Sequence, residues 1–364
     1  RWLVLLLLAF AMFCSYIFMD ILSPIKDLMQ STRGWDSTAF GTMQGSETFL
    51  NVFVFFLIFA GIILDKMGVR FTAVLSGVVM LIGAVINWYA VTESFMGSSL
   101  ELWFTNNLNY IPGFDELGIS PFYLGMPASA KFAAVGFMIF GCGVEMAGIT
   151  VSRGIVKWFK GREMALAMGS EMALARLGVA TCMIFSPVFA KLGGDIDVSR
   201  SVAFGVVLLM IALIMFCAYF FMDKKLDAQT GEAEEKDDPF KISDLGQILS
   251  SSGFWLVALL CVLYYSAIFP FQKSAVNMLQ CNLTFTEVPA DSFWAGNTVT
   301  IIQYCIMLVV AAAAFASNFS KQKNMKFGLQ IIAVVALVVF CYMGYMRQSA
   351  ETIFAVFPLL AVGI

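Results

Sequence analysis

Glu145 and Arg176 are charges of opposite sign set deep in apolar stretches of the sequence. Glu145 lies twelve residues before Lys157, and Arg176 fourteen residues after Arg162. If both stretches are helical at 1.5 Å per residue, the acid is roughly 18 Å and the base roughly 21 Å from a shared basic border. A carboxylate at that depth suits an ammonium, and a guanidinium suits a carboxylate held by two parallel hydrogen bonds. Together they make a clamp for a small zwitterion. They equally suit an internal salt bridge, and the two uses are compatible, since a ligand can split a resting pair. Either way each charge needs a partner, because an ion in mid-bilayer costs about 2.5–3.5 kcal/mol.

Polar residues at similar depth extend the candidate site: Tyr16, Tyr264, Tyr265, Gln303 and Tyr304. Each is suited to contacting a peptide backbone or side chain, or to packing and interfacial use. Arg153 and Glu171 fall within about two turns of the basic border, which points to an inner network or gate. Asp20, Glu47 and Lys273 fall near the far ends of their stretches and are expected to be solvated.

The composition puts these charges in a membrane. The chain is 60% hydrophobic and 13% charged, with 36 Phe, against about 45–50% and 25% for soluble domains. With no histidine, zinc sites and His-based catalysis are excluded. No nucleophile–base pair, metal set or cofactor loop appears, so neither enzyme activity nor a cofactor is expected. The net charge of −3 and the lack of a basic cluster argue against nucleic acid. The eight cysteines are scattered singly and read as small apolar packing residues.

Apolar runs of spanning length define the elements. They cover about 2–22, 42–64, 71–92, 132–156, 164–189, 202–221, 253–275, 292–316 and 327–345, and a tenth run starting near Thr352 is still apolar at Ile364. The expected architecture is all-α, with a six-helix bundle over 1–222, a solvated linker over 223–245, and a partial second bundle over 246–364 that stops within its tenth span. Residues 93–131 form a long polar insertion, expected as a cap or cover on one face. Glycine and alanine runs, Gly141/Gly143/Gly148 and Ala165/Ala167/Gly169/Ala173, fit close helix packing. Twelve Lys and Arg fall in the loops on one side and six on the other, which puts the N-terminus inside.

Between the second and third spans stands Gly61-Ile-Ile-Leu-Asp65-Lys66-Met-Gly68-Val-Arg70. Its pattern, G-x-x-x-D-[RK]-x-G-x-[RK], resembles the signature loop between helices 2 and 3 of the major facilitator superfamily. That resemblance implies two bundles of inverted repeats rocking about a midplane cavity, with Gly61, Asp65, Lys66, Gly68 and Arg70 forming a gating loop. The stretches Gly141–Glu145, Val156–Gly169 and Ala173–Gly178 are similar to the domain-containing protein 1 subgroup, which comprises lysosomal dipeptide carriers in animals and bacterial relatives. The loop after span eight, Ser317–Lys326, departs from the signature, with no Asp and no Gly.

The resulting expectation is an alternating-access carrier of small zwitterions, dipeptides first, working by uniport or proton coupling. A sugar or organic-anion carrier would need Arg176 alone. A non-transporting receptor or partner subunit would use the insertion as its docking surface. The expected partners are a small-molecule substrate and the lipid bilayer. Protons are a candidate coupling ion, and an accessory membrane subunit is a candidate partner for an otherwise monomeric chain. A bacterial inner membrane is the expected residence, or a lysosomal membrane if the source is eukaryotic.

Overall fold

The computed structural model describes residues 1–160, 163–230, 246, 249–263 and 265–266. Among these the regular elements are helices: α1 (Trp2–Met19), α2 (Lys26–Arg33), α3 (Ser37–Gly45), α4 (Phe49–Phe53), α5 (Phe56–Val91), α6 (Ser99–Asn106), α7 (Ala128–Trp158), α8 (Met164–Ala190) and α9 (Val198–Thr230). Five runs among the described residues are long and apolar enough to cross a membrane: Trp2–Arg33, Phe56–Val91, Ala128–Trp158, Met164–Ala190 and Val198–Gln229. A shorter apolar helix covers Ser252–Leu263. Spans eight to ten, Pro270, and most of the linker and second bundle fall outside the described residues.

The 36 residues of α5 would make about 54 Å of straight helix, nearly twice a ~30 Å hydrocarbon core. The chain turns instead. Asp65 pairs with Arg153 and Glu47 lies against Gly141, so this segment runs parallel to α7. Beyond the turn, Met80 faces Gly143 and Ile86 faces Gly136, so the rest of α5 runs antiparallel to α7. The reversal is at Gly68, whose φ of 79° and ψ of 164° leave helical geometry. That region of backbone space is essentially restricted to glycine.

Helix packing follows the small residues. A Cβ at Gly83 would overlap the backbone of Gly136 and Phe140, and one at Gly178 would overlap the Phe13 carbonyl. These helices therefore meet backbone to backbone, as small-residue interfaces in membranes do. Gly141 and Gly143 take such places, as read from the sequence. Gly148 and Gly169 do not, because each faces open space. Val78, Ile82, Val85 and Trp88 form an exposed apolar stripe along α5 at helical spacing.

Three sequence-based boundaries need correction. The polar stretch 25–37, between the first two apolar runs, reads as a loop by composition but is largely the helix α2. Span two is not one helix. It is broken into α3, a 3-10 turn (Ser46–Thr48) and α4, and it breaks again at Val54–Phe55, where Phe55 has a φ of 54°. Span six runs on past Phe221 to Thr230, into the stretch read as linker.

The insertion is an ordered cap. Phe114 packs on Phe49 and Phe53 at 5.2 and 5.3 Å between ring centroids. Phe95 stacks on Phe132 at 5.3 Å. Lys131, one of the six charges assigned to the loops of the less basic side, is 1% exposed and donates to Phe104 O (3.1 Å) and Asn109 Oδ1 (2.7 Å).

The two signature glycines are predicted to differ. Gly68→Ala is expected to lower unfolding stability in detergent by about 1–3 kcal/mol through backbone strain. Gly61→Ala lies in helix with nothing within 4 Å of the added methyl, and is expected to be neutral or to gain up to about 1 kcal/mol.

Candidate functional site

α1 supplies the reference for depth. Phe18 packs against Phe140 at 4.8 Å, and Leu8 approaches Gly154, so α1 and α7 run antiparallel with Glu145 falling between those two levels. Phe13 meets Gly178, and Ser186 Oγ donates to Ile21 O (2.6 Å), so α1 and α8 run parallel. These registers bring Tyr16, Glu145 and Arg176 to one level. The Arg176 guanidinium carbon lies 5.5 Å from the centroid of the Tyr16 ring, a cation–π distance. Tyr16 is also within electrostatic reach of Glu171, Glu145 and Tyr265.

The arrangement differs from the sequence reading in one respect. Consecutive spans were expected to bring the acid and the base side by side. Instead α8 lies mainly along α1, and α7 mainly along α5. Tyr16, on the helix between them, is the common neighbour of Glu145 and Arg176. Tyr264, Gln303, Tyr304 and Lys273 lie outside the described residues.

Glu171, assigned to the inner network from its sequence position, is 5% exposed and interacts electrostatically with Tyr16. It therefore also belongs with the deep group. Two acids expected at solvated span ends are buried. Asp20 is 2% exposed and accepts from Ser23 Oγ (3.5 Å), and Glu47 is 5% exposed. Glu47 escaped the sequence reading because its span starts at Ser37 rather than Thr42, which carries it inward. Its Cγ would lie 3.2 Å from a Cβ at Gly141, one turn from Glu145 on the same face of α7, and the two carboxylates interact electrostatically.

At the inner end, the signature loop joins a charged knot. Arg153 Nη1 donates to Asp65 Oδ1, tying α7 to α5. Arg70 reaches Asp227 Oδ2 (3.0 Å) and Asp223 Oδ2 (3.7 Å). Lys157 reaches the same two acids at 2.9 and 2.7 Å, and Trp158 Nε1 donates to Asp223 Oδ1 (2.8 Å). Asp223 is fully buried rather than part of a solvated linker. Residues 223 and 227 are four apart on α9, so both carboxylates face the loop. Sequence inspection missed both acids, because Lys224-Lys225 between them suggested a hydrated stretch.

The knot and the deep group together form two polar layers in the bundle, a charged cluster at one end of the helices and a polar group near their mid-length. The sequence profile of the Major Facilitator Superfamily matches residues 116–364. The chain belongs to the major facilitator superfamily. Two solved members share its fold. A crystal structure of a D-xylose–proton symporter superposes with a TM-score of 0.59 over 99% of this chain and 79% of that one, at 12% identity. The inward-open xylose transporter from E. coli gives 0.60 over 98% and 78%, at 11% identity.

Among curated proteins, the lysosomal dipeptide transporter MFSD1 of Homo sapiens is 25% identical over 315 residues, covering 84% of this chain and 58% of that protein. MFSD1 of Danio rerio is 25% identical over 282 residues, covering 74% and 52%. MFSD1 of Gallus gallus is 30% identical over 145 residues, covering 38% and 32%. The chain thus spans about half the length of the first relatives it matches. This superfamily member is a multi-pass membrane protein, as its composition, its spanning helices and its family all indicate.

Asp223→Ala is expected to cost roughly 2 kcal/mol of stability, because it takes the acceptor from Trp158 Nε1 and leaves Arg70 and Lys157 with Asp227 alone. Asp227→Ala leaves Asp223 in place for both bases and is expected to cost about 1 kcal/mol. Denaturation of the two variants in detergent measures the difference. Gly178→Ala is expected to push α8 off α1, lowering stability and shifting Arg176 from Tyr16, whereas Gly148→Ala and Gly169→Ala leave the unfolding free energy within about 0.5 kcal/mol of wild type.

Proposed function

We propose that this chain is part of an alternating-access carrier for small zwitterions, with dipeptides as the favoured class. Glu145 takes the substrate ammonium and Arg176 its carboxylate, while Tyr16 sets their separation and presents a ring edge and a hydroxyl to the peptide unit between them. The observation that carries this reading is the 5.5 Å stacking of Arg176 on Tyr16, with Glu145 electrostatically coupled to the same tyrosine. Opposite charges flanking one aromatic side chain suit a ligand with a charge at each end. The names of the 24–30% identical relatives point the same way.

In this scheme the inner knot serves the cycle by keeping three helix ends together. Asp65, Arg70, Arg153, Lys157, Asp223 and Asp227 belong to α5, α7 and α9, so the bundle moves as a unit. Substrate binding at the midplane then biases one bundle against the other, since only a ligand with different affinity for the two states can shift them.

Thermal-shift screening against dipeptides, free amino acids, sugars and organic acids tests the proposal. Dialanine and similar dipeptides are expected to raise the midpoint of the wild type, with the effect lost in both Glu145→Gln and Arg176→Ala. Removing one buried charge contact from a ligand costs about 2–5 kcal/mol, enough to abolish the shift at millimolar ligand. Stabilisation by organic acids that only the arginine variant loses would instead make this an anion carrier. If no dipeptide shifts the wild type, the zwitterion reading is wrong.

A further inference from the structure

α6 belongs to the cap, yet it does not stand clear of the bundle. Its Phe104 ring packs on Phe132 at 5.0 Å, and Phe132 in turn meets Tyr89 at 6.2 Å. Tyr89 is two residues from the end of α5, and Phe132 is the fifth residue of α7. The Phe104 carbonyl accepts from the buried Lys131 ammonium, which pins the helix at that level. α6 therefore sits beside the last turn of one spanning helix and the start of another. That is the border where a hydrocarbon core gives way to headgroups.

The free side of α6 has the wrong chemistry for open water. Leu102 is 62% exposed, Trp103 50% and Leu100 42%. At 3.6 residues per turn these three span an arc of roughly 160°, and no charged residue lies within it. The single charge of the helix, Glu101, falls outside that arc and accepts from the Gly97 backbone N–H. Ser98 Oγ caps the same end by accepting from Glu101 N (3.2 Å). A helix with one uncharged apolar face and its charge turned away is suited to lying in a membrane surface.

The surroundings of α6 fit lipid as the cover of this face. The exposed stripe of α5 ends at Trp88, the chain neighbour of Tyr89, so α6 prolongs an apolar surface that runs along a spanning segment. Tryptophan and tyrosine gather at the headgroup level, where a ring can be apolar on one side and wet on the other. Trp88, Tyr89 and Trp103 put three such residues in one layer. A cation stands there as well. Arg33 donates through Nε to the carbonyl of Val91 (2.9 Å), the last residue of α5, and through Nη1 to Met96 Sδ (3.8 Å). A guanidinium at that height suits lipid phosphates.

We propose that α6 is an interfacial helix, its Leu100, Leu102 and Trp103 face bedded in the phospholipid headgroup layer at the cap's end of the bundle. The occupant of this face is lipid, so the assignment is independent of what the carrier transports. The consequence is positional. The cap lies along the membrane on this side, and α6 sets the depth of α5 and α7 in the bilayer through Phe104, Phe132 and Lys131.

Tryptophan fluorescence of the full chain in lipid nanodiscs tests the assignment. The Trp103 signal is the difference between wild type and Trp103→Phe. The nanodiscs contain phosphatidylcholine brominated either just below the headgroup or near the chain end. The shallow bromines are expected to quench the Trp103 signal about twofold more than the deep ones. Trp88, measured in the same way through Trp88→Phe, calibrates the response at the end of a spanning helix. A Trp103 signal quenched by neither lipid, but by acrylamide in the water, overturns the proposal. A signal quenched by none of the three also overturns it, and puts a protein surface over the face instead. In Leu100→Asp/Leu102→Asp, altered at two exposed positions, the shallow preference of Trp103 is expected to be lost. A preference that survives two carboxylates in the face overturns the assignment of the seat to these residues.

Discussion

Asp223 is the constraint from which the inner half of the bundle takes its shape. A fully buried carboxylate must be surrounded by donors. Here Tyr219 Oη on α9 itself makes one longer contact (3.4 Å), and the closer donors come from two other helices: Arg70 and Lys157 as cations, Trp158 as an indole N–H. None of these three satisfies Asp223 unless α5 has turned at Gly68 and α7 has ended at Trp158. The charge on α9 therefore makes the reversal and the helix end mutually dependent. Asp65 and Arg153 repeat the logic one step nearer the surface, between α5 and α7 alone.

Above that latch, contacts without side chains set the geometry of the site. Arg176 is two residues from Gly178, where α8 meets the Phe13 carbonyl, and Glu145 is one turn from Gly141, where α7 meets the Glu47 carbonyl. A helix that touches its neighbour through backbone atoms cannot slide or roll freely, because close-packed interiors deform in steps rather than smoothly. Placing charged side chains so near these contacts fixes their separation without a dedicated hydrogen-bond network.

The sequence made the fold legible where composition is extreme. Apolar runs gave the spans, and the charge-and-glycine pattern at Gly61–Arg70 gave the reversal at Gly68 and the family. Depth was legible too, since counting from basic borders brought Glu145 and Arg176 to one level. Which helices adjoin was not legible. The pairing of α8 with α1 joins residues more than 160 positions apart, and its only marker, Gly178, is one glycine among 29. The break at Val54–Phe55 falls in an unpunctuated run of apolar residues, and no proline or glycine announces it. Asp20 and Glu47 were misplaced because a carboxylate a few residues from a span end reads as solvated, until the packing of α3 and the following turn carries it inward. Asp223 failed for the converse reason, its hydrated neighbours hiding a residue on the inward side of the helix.

The cap over residues 93–131 is held by contacts with Phe49, Phe53, Tyr89, Phe132 and Asp36, together with the Lys131 bonds to Phe104 and Asn109. Each of these anchors belongs to the chain from the N-cap of α3 through α7. The outer surface that the cap presents thus has the reference frame of the first bundle. A label, glycan or antibody fragment fixed to it would travel with these helices and report their tilt, like a mast on a hull.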